Sequence, residues 1–192
     1  MESKSYGGVE GVEKEVKVAN KRGAGGCEGL LRVLAFVFCL SAAVILGVDK
    51  QTKVVAMKLL DSLPPINVPV PAKWYYLSAF KYFVVAHAIA CAYAVISLIL
   101  SMGNRGGKKS CIGFAIEVAD IVMVALLFSS NGAAVSIGLM GFQGNSHVKW
   151  NKVCNVFGKF CHQAAAAFVV SALGALAFLL VVVFALKRLH KK

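Results

Sequence analysis

Four long apolar runs, separated by stretches that hold most of the charge, set the pattern along the chain. Leu30 to Val48 carries one charge, Arg32, and Ala79 to Leu100 is interrupted by Lys81 and His87. Ile112 to Phe128 carries Glu117 and Asp120, with apolar character resuming through Met140, and Ala164 to Leu186 carries no charge. At about 1.5 Å of rise per residue these runs reach roughly 26–35 Å as helices, enough to cross a hydrocarbon core of about 30 Å. A helix satisfies its own backbone in lipid, whereas barrel strands alternate apolar and polar positions. The pattern therefore predicts an all-α membrane protein, a four-transmembrane-helix bundle over residues 30–188. The crossings fall at about 30–48, 79–100, 112–128 (with helix extending towards 140) and 164–186, between a disordered cytoplasmic tail, 1–29, and a short cytoplasmic tail, 189–192.

The connecting segments add detail. All four prolines fall within eight residues, at Pro64, Pro65, Pro69 and Pro71. Thr52 to Leu60 before them is rich in β-branched residues, and Ile66, Val68 and Val70 alternate with Asn67, Pro69 and Pro71. Two short strands around a Pro-Pro turn are expected, a small β-hairpin in the first outer loop whose second strand is held to an edge because proline cannot donate to a ladder. An extended proline-rich linker is the competing expectation. Ser101 to Ser110 reads as a short Gly/Lys turn. In the N-terminal tail Val9, Val12 and Val16 have helical spacing, but Gly7, Gly8, Gly11, Gly23, Gly25 and Gly26 flank or interrupt it, which points to disorder.

Composition and charge narrow the function. With 58% hydrophobic and 16% charged residues, the chain lies outside the soluble range of about 25% charged, so a soluble enzyme is not expected. The net charge of +12 comes from basic residues beside the crossings, which suits anionic lipid head groups rather than nucleic acid. Twelve Lys/Arg lie on the side of the two termini and eight on the other, which places both termini in the cytoplasm. No phosphate-cradling Gly-Lys-Ser/Thr loop or His-Glu-x-x-His motif occurs, so no catalytic, cofactor or metal site is expected. The absence of any Asn-x-Ser/Thr argues against N-glycosylation.

Of six cysteines, this topology puts Cys27 and Cys111 at the cytoplasmic face, Cys39 and Cys91 within crossings, and Cys154 and Cys161 together in the second outer loop. Only that last pair meets an oxidising environment, and the short loop between them makes a disulfide the expected pairing, with two free thiols as the alternative. Cys154, Cys161 and His162 lack an obvious fourth metal ligand. Cys27 and Cys111 are candidates for palmitoylation or plain juxtamembrane thiols.

A charge inside a crossing costs several kcal/mol unless paired or hydrated, which draws attention to Arg32, Glu117 and Asp120. Glu117 and Asp120 are three residues apart and share a helix face, and the planar fork of Arg32 suits a carboxylate. Helix rise puts Glu117 roughly 8 Å and Asp120 roughly 12 Å past Ile112, so depth alone slightly favours Glu117 as the partner of Arg32. The alternative is that Arg32 snorkels to head groups and Asp120 bonds elsewhere. His87 is expected to hydrogen-bond between helices. Small residues also recur at four-residue intervals: Ala35, Cys39, Ala43 and Gly47; Ala86, Ala90 and Ala94; Ala115 and Ala119; Ala167, Ser171 and Ala175. Such rows let helices approach closely in lipid.

The run GAAVSIGLMGFQGNSHVKWNKVCNVFGKFC from Gly132 to Cys161 resembles the third-crossing end and second outer loop of CASP-like proteins, relatives of the plant Casparian strip membrane domain proteins. LRVLAFVFCLSAAVILGVDKQTK from Leu30 and AKWYYLSAFKYFVVAHAIACAYAVISL from Ala72 extend the resemblance, which reaches about Leu186. It implies that the hallmark first-crossing arginine and third-crossing aspartate fall on Arg32 and Asp120, which names Asp120 as the partner over Glu117. The outer-loop cysteines fall on Cys154 and Cys161. It further implies a non-enzymatic plasma-membrane scaffold that self-associates, with itself and with related CASP-like proteins, into membrane domains that organise secreted wall-modifying enzymes. The short acidic-Leu-Pro type signature of the founding members is not found in the first outer loop, which argues against a role in the Casparian strip itself. The competing expectation is an ion or proton transporter or channel accessory that uses the intramembrane carboxylates.

Overall fold

The computed structural model describes residues 6–57, 66–103, 111–147 and 150–190. Four long helices run up and down in chain order: α1 (Tyr6–Gly47), α2 (Ser78–Gly103), α3 (Cys111–Gln143) and α4 (Gly158–His190). Each contains a stretch long and apolar enough to cross a membrane: Gly26–Gly47, Ser78–Ser101, Gly113–Gln143 and Gly158–Lys187. α1 and α3 each pack against both α2 and α4, so the helices close into a ring with both termini at one end and the hairpin at the other. α1 continues back to Tyr6, through the glycine-containing stretch for which disorder was expected. α3 is one unbroken helix to Gln143, so the apolar character beyond Phe128 belongs to the same crossing.

The interior follows a seven-residue seam. On α1 the buried positions are Arg32, Ala35, Cys39, Ala42 and Leu46, in steps of three and four that keep one face towards the partners. On α3 they are Asp120, Leu127 and Ala134 with Ser130 between them. A strict four-residue row drifts around a helix of 3.6 residues per turn. Ala43 and Gly47 accordingly sit beside the seam, half-buried. The row expected on α3 misses the interior, with Ala115 exposed and Ala119 half-buried, while Ala86, Ala90, Ala94, Ala167, Ser171 and Ala175 are buried. α1 and α4 approach closely at Gly174, where a Cβ would lie 3.1 Å from Cys39 Sγ and 3.3 Å from Phe38 Cβ.

Beyond α1 the chain forms the expected hairpin, β1 (Lys50–Met57) antiparallel to β2 (Ile66–Lys73), with Lys50 opposite Lys73 and Val55 opposite Val68. Pro69 and Pro71 are two apart, so both ring nitrogens point to the same side, away from β1, and the ladder survives them. The Pro64–Pro65 turn lies outside the described residues, as does the Gly/Lys turn at 104–110. One bond ties the hairpin base to the bundle, the Phe160 backbone N–H donating to Gln51 Oε1 at 2.9 Å, and just below it Gln163 Nε2 of α4 donates to the Ile45 carbonyl of α1 at 2.8 Å.

The loop between α3 and α4 is fastened three ways. Gly144, at φ 71°, turns the chain where a Cβ would lie 2.9 Å from the Trp150 carbonyl oxygen, so only glycine fits. Asn145 and Trp150 exchange backbone bonds of 2.9 Å. Cys154 and Cys161 form a disulfide that ties the 3-10 turn Val153–Asn155 to the first turn of α4.

Candidate functional site

Six residues into the first span, where helix geometry places it roughly 9 Å from the terminal end, Arg32 turns inward and is only 2% exposed. Its planar fork meets Asp120 on α3 squarely: Nη1 donates to Oδ1 at 2.8 Å and Nη2 to Oδ2 at 2.6 Å. Two parallel charge-assisted bonds fix direction as well as distance. Nη1 also donates to Ser97 Oγ on α2 at 3.1 Å, and the Ser97 hydroxyl passes its own proton to the Ala94 carbonyl at 3.0 Å. Glu28, one helical turn earlier on α1, lies 3.5 Å from Nη2. Tyr93 Oη on α2 lies 2.7 Å from Asp120 Oδ1 and 2.9 Å from the Ile116 carbonyl. One arginine thus joins three helices, and only its Nε–H has no partner among the described residues.

The fourth helix enters through neighbouring contacts. The Tyr93 ring packs against Phe178 of α4 with centroids 6.3 Å apart. Deeper in the bundle, fully buried His87 on α2 meets Ser171 on α4, with Nε2 to Oγ at 2.8 Å, while Nδ1 lies 2.7 Å from the Phe83 carbonyl. Since a carbonyl only accepts, Nδ1 carries the proton and Nε2 receives the Ser171 hydroxyl. The expectation of an inter-helix bond at His87 matches this geometry.

The sequence placed Arg32, Glu117 and Asp120 in the membrane, and the structure brings Arg32 to Asp120 rather than leaving it to snorkel. Glu117 is half-buried one turn before Asp120. Ser97 and Tyr93 were missed; a serine and a tyrosine in an apolar run are too common to stand out, and only their position opposite Arg32 marks them. Cys154 and Cys161 are consumed by their disulfide, and no cluster of His, Cys, Asp or Glu fit to hold a metal occurs among the described residues. Outside the membrane, Asp49 at the end of α1 is 1% exposed, with Oδ2 unpartnered among the described residues. Burial pushes its carboxyl up to about 7 against the opposing pull of the Lys159 ammonium.

A model of the Casparian strip membrane protein domain matches residues 21–177, which takes in Arg32, Tyr93, Ser97, Asp120 and both loop cysteines. The chain belongs to this family. CASP-like relatives match almost end to end. CASP-like protein 1E2 of Vitis vinifera is 60% identical over 100% of this chain and 98% of its own. CASP-like protein 1E1 of Populus trichocarpa is 56% identical over 96% of this chain and 93% of its own. CASP-like protein 1E1 of Arabidopsis thaliana is 49% identical over 95% and 96%. No solved structure matches the chain.

Proposed function

We propose that the protein is a non-enzymatic scaffold of the plasma membrane, with both termini cytoplasmic, that self-associates with its own copies and with related family members into membrane domains. The hairpin and the disulfide-fastened loop then face outward, where they meet secreted wall-modifying enzymes. The observation that carries this reading is the closure of the intramembrane charges. Both oxygens of Asp120 and both terminal nitrogens of Arg32 are held by groups of the bundle itself. A carboxylate held in this way fixes helix positions; carrying an ion would require breaking a buried pair at a cost of about 3–5 kcal/mol.

A tagged chain in plant plasma membrane tests the proposal. Slow lateral recovery after photobleaching, crosslinked oligomers, tags at both ends accessible only from the cytosol and no flux in reconstituted vesicles are the expected results. Ion or proton flux that Asp120→Asn abolishes would overturn the scaffold in favour of transport.

A further inference from the structure

At the hairpin end of the bundle, a cleft of about 330 Å³ opens between α3 and α4 beneath the loop that joins them. Its floor is buried, formed by Phe80, Phe160 and Ala164. Its rim is exposed: Leu139 at 51%, Phe142 at 66% and Trp150 at 42%, with Ala165 across from them on α4. The space exists because the facing positions are small. Gly138 and Gly141 on α3 and Ala164 and Ala165 on α4 all line it, and a Cβ at Gly138 would press to 3.0 Å on the Phe168 ring. The closed Cys154–Cys161 bridge forms part of the wall.

We infer that this cleft binds one acyl chain of a phospholipid from the surrounding bilayer. Three observations choose the occupant. The cleft lies within the last turns of the α3 span and the first turns of the α4 span, so its mouth faces the hydrocarbon of one leaflet. Among the lining side chains none carries a charge or a hydroxyl, and the Trp150 indole at the rim is the one N–H donor. Water needs two to four polar partners to stay in such a space, so it stays out, and an empty apolar cleft forfeits the dispersion contacts of its walls. A sterol brings a hydroxyl and a rigid ring body, and the lining offers that hydroxyl no acceptor side chain. A flexible chain needs only apolar contact. The volume lies at the small end of ligand pockets, which suits a chain segment rather than a whole lipid. An inserted chain touches α3, α4 and the fastened loop together, so the lipid becomes part of the outer-loop support, whether or not the protein acts as a scaffold.

The full chain in nanodiscs of phosphatidylcholine, doped with phosphatidylcholine bearing a mid-chain diazirine, tests this directly. Leu139 and Val44 are equally exposed, at 51% and 52%, and both lie near the hairpin end of their helices, but only Leu139 borders the cleft. Peptide mapping after illumination should find Leu139 and Phe142 labelled at least fivefold more than Val44. Ala165→Phe fills the cleft from an exposed position and should bring the ratio to near one, while Ala166→Phe, on the same helix outside the lining, should leave it unchanged. Equal labelling of Leu139 and Val44 in the unsubstituted chain overturns the proposal without any variant. Insensitivity to Ala165→Phe, equal loss with Ala166→Phe, or an equal preference for Leu139 by a diazirine sterol also overturns it.

Discussion

The two ends of the bundle are held together by different chemistry. Near the termini small side chains, Ala35, Cys39, Ala90, Ala94 and Ala175, pack around Leu127 and Phe178, and direction comes from the Arg32–Asp120 pair with Ser97 and Tyr93. Near the hairpin the alanines are joined by a cluster of aromatic rings. Phe80 stacks on Phe160 at 6.0 Å, Phe83 stacks on His87 at 4.0 Å, and Phe168 meets Phe80 and Phe83 edge-on. The disulfide and the hairpin close that end from outside. Lipid is as apolar as the core, so small apolar residues supply contact but little preference, and a bidentate ion pair supplies the register. At the hairpin end Phe80, Phe83, Phe160 and Phe168 also lie inside the spans, where ring shape fixes the packing, and the Cys154–Cys161 disulfide adds a covalent tie.

Breaking the ionic end should do the most damage. Asp120→Ala leaves a guanidinium buried without its partner and should cost about 3–5 kcal/mol, read as lost expression and a lower Tm in detergent. Arg32→Met with Asp120→Leu removes both charges and should restore most of that stability, which would show that the pair sets register rather than net strength. At the other end, replacing Cys154 and Cys161 by serine releases a short loop, worth about 2.5 kcal/mol on the chain-entropy argument. Hydrogen exchange should then rise at the Asn145–Trp150 bridge while the Arg32 region stays protected.

A smaller effect probes the helix contact between the two ends. Gly174→Val forces a side chain against Phe38 and Cys39, and should cost about 1–3 kcal/mol without altering the disulfide. The smallest concerns Asp49. Its folded pKa, about 7, lies above the ordinary 3.8, so the protonated form favours the fold. That contribution is complete below about pH 4 and fades as pH rises through 7. Asp49→Asn should flatten the pH dependence of Tm between about pH 4 and 7, and raise Tm at pH 8 by about 2–4 °C.

Much of this architecture is legible in the residues because lipid makes hydropathy decisive: four uninterrupted runs leave little choice but four helices. The cost of burying charge likewise singles out Arg32 and Asp120. Depth along one helix slightly favoured Glu117 over Asp120, because depth ignores which face α3 turns to α1, and the resemblance to relatives corrected it. The rows of small residues were read at a four-residue interval, whereas packing follows a seam averaging three and a half; the longer row on α1 drifts off it and the α3 row misses it. The apolar cleft was invisible for a related reason: Gly138, Gly141 and Ala165 are ordinary in a membrane helix, and only the third dimension makes them a gap.

The two prolines of β2 carry a consequence for crowded membranes. With Pro69 and Pro71 turned to the open side, that margin of the ribbon has lost two of its donors. A neighbouring ribbon therefore finds too few partners to dock edge to edge and grow a continuous cross-β stack, the hazard that packed copies of a two-stranded element otherwise face. On the proposed scaffold reading, copies packed side by side would keep their ribbons separate.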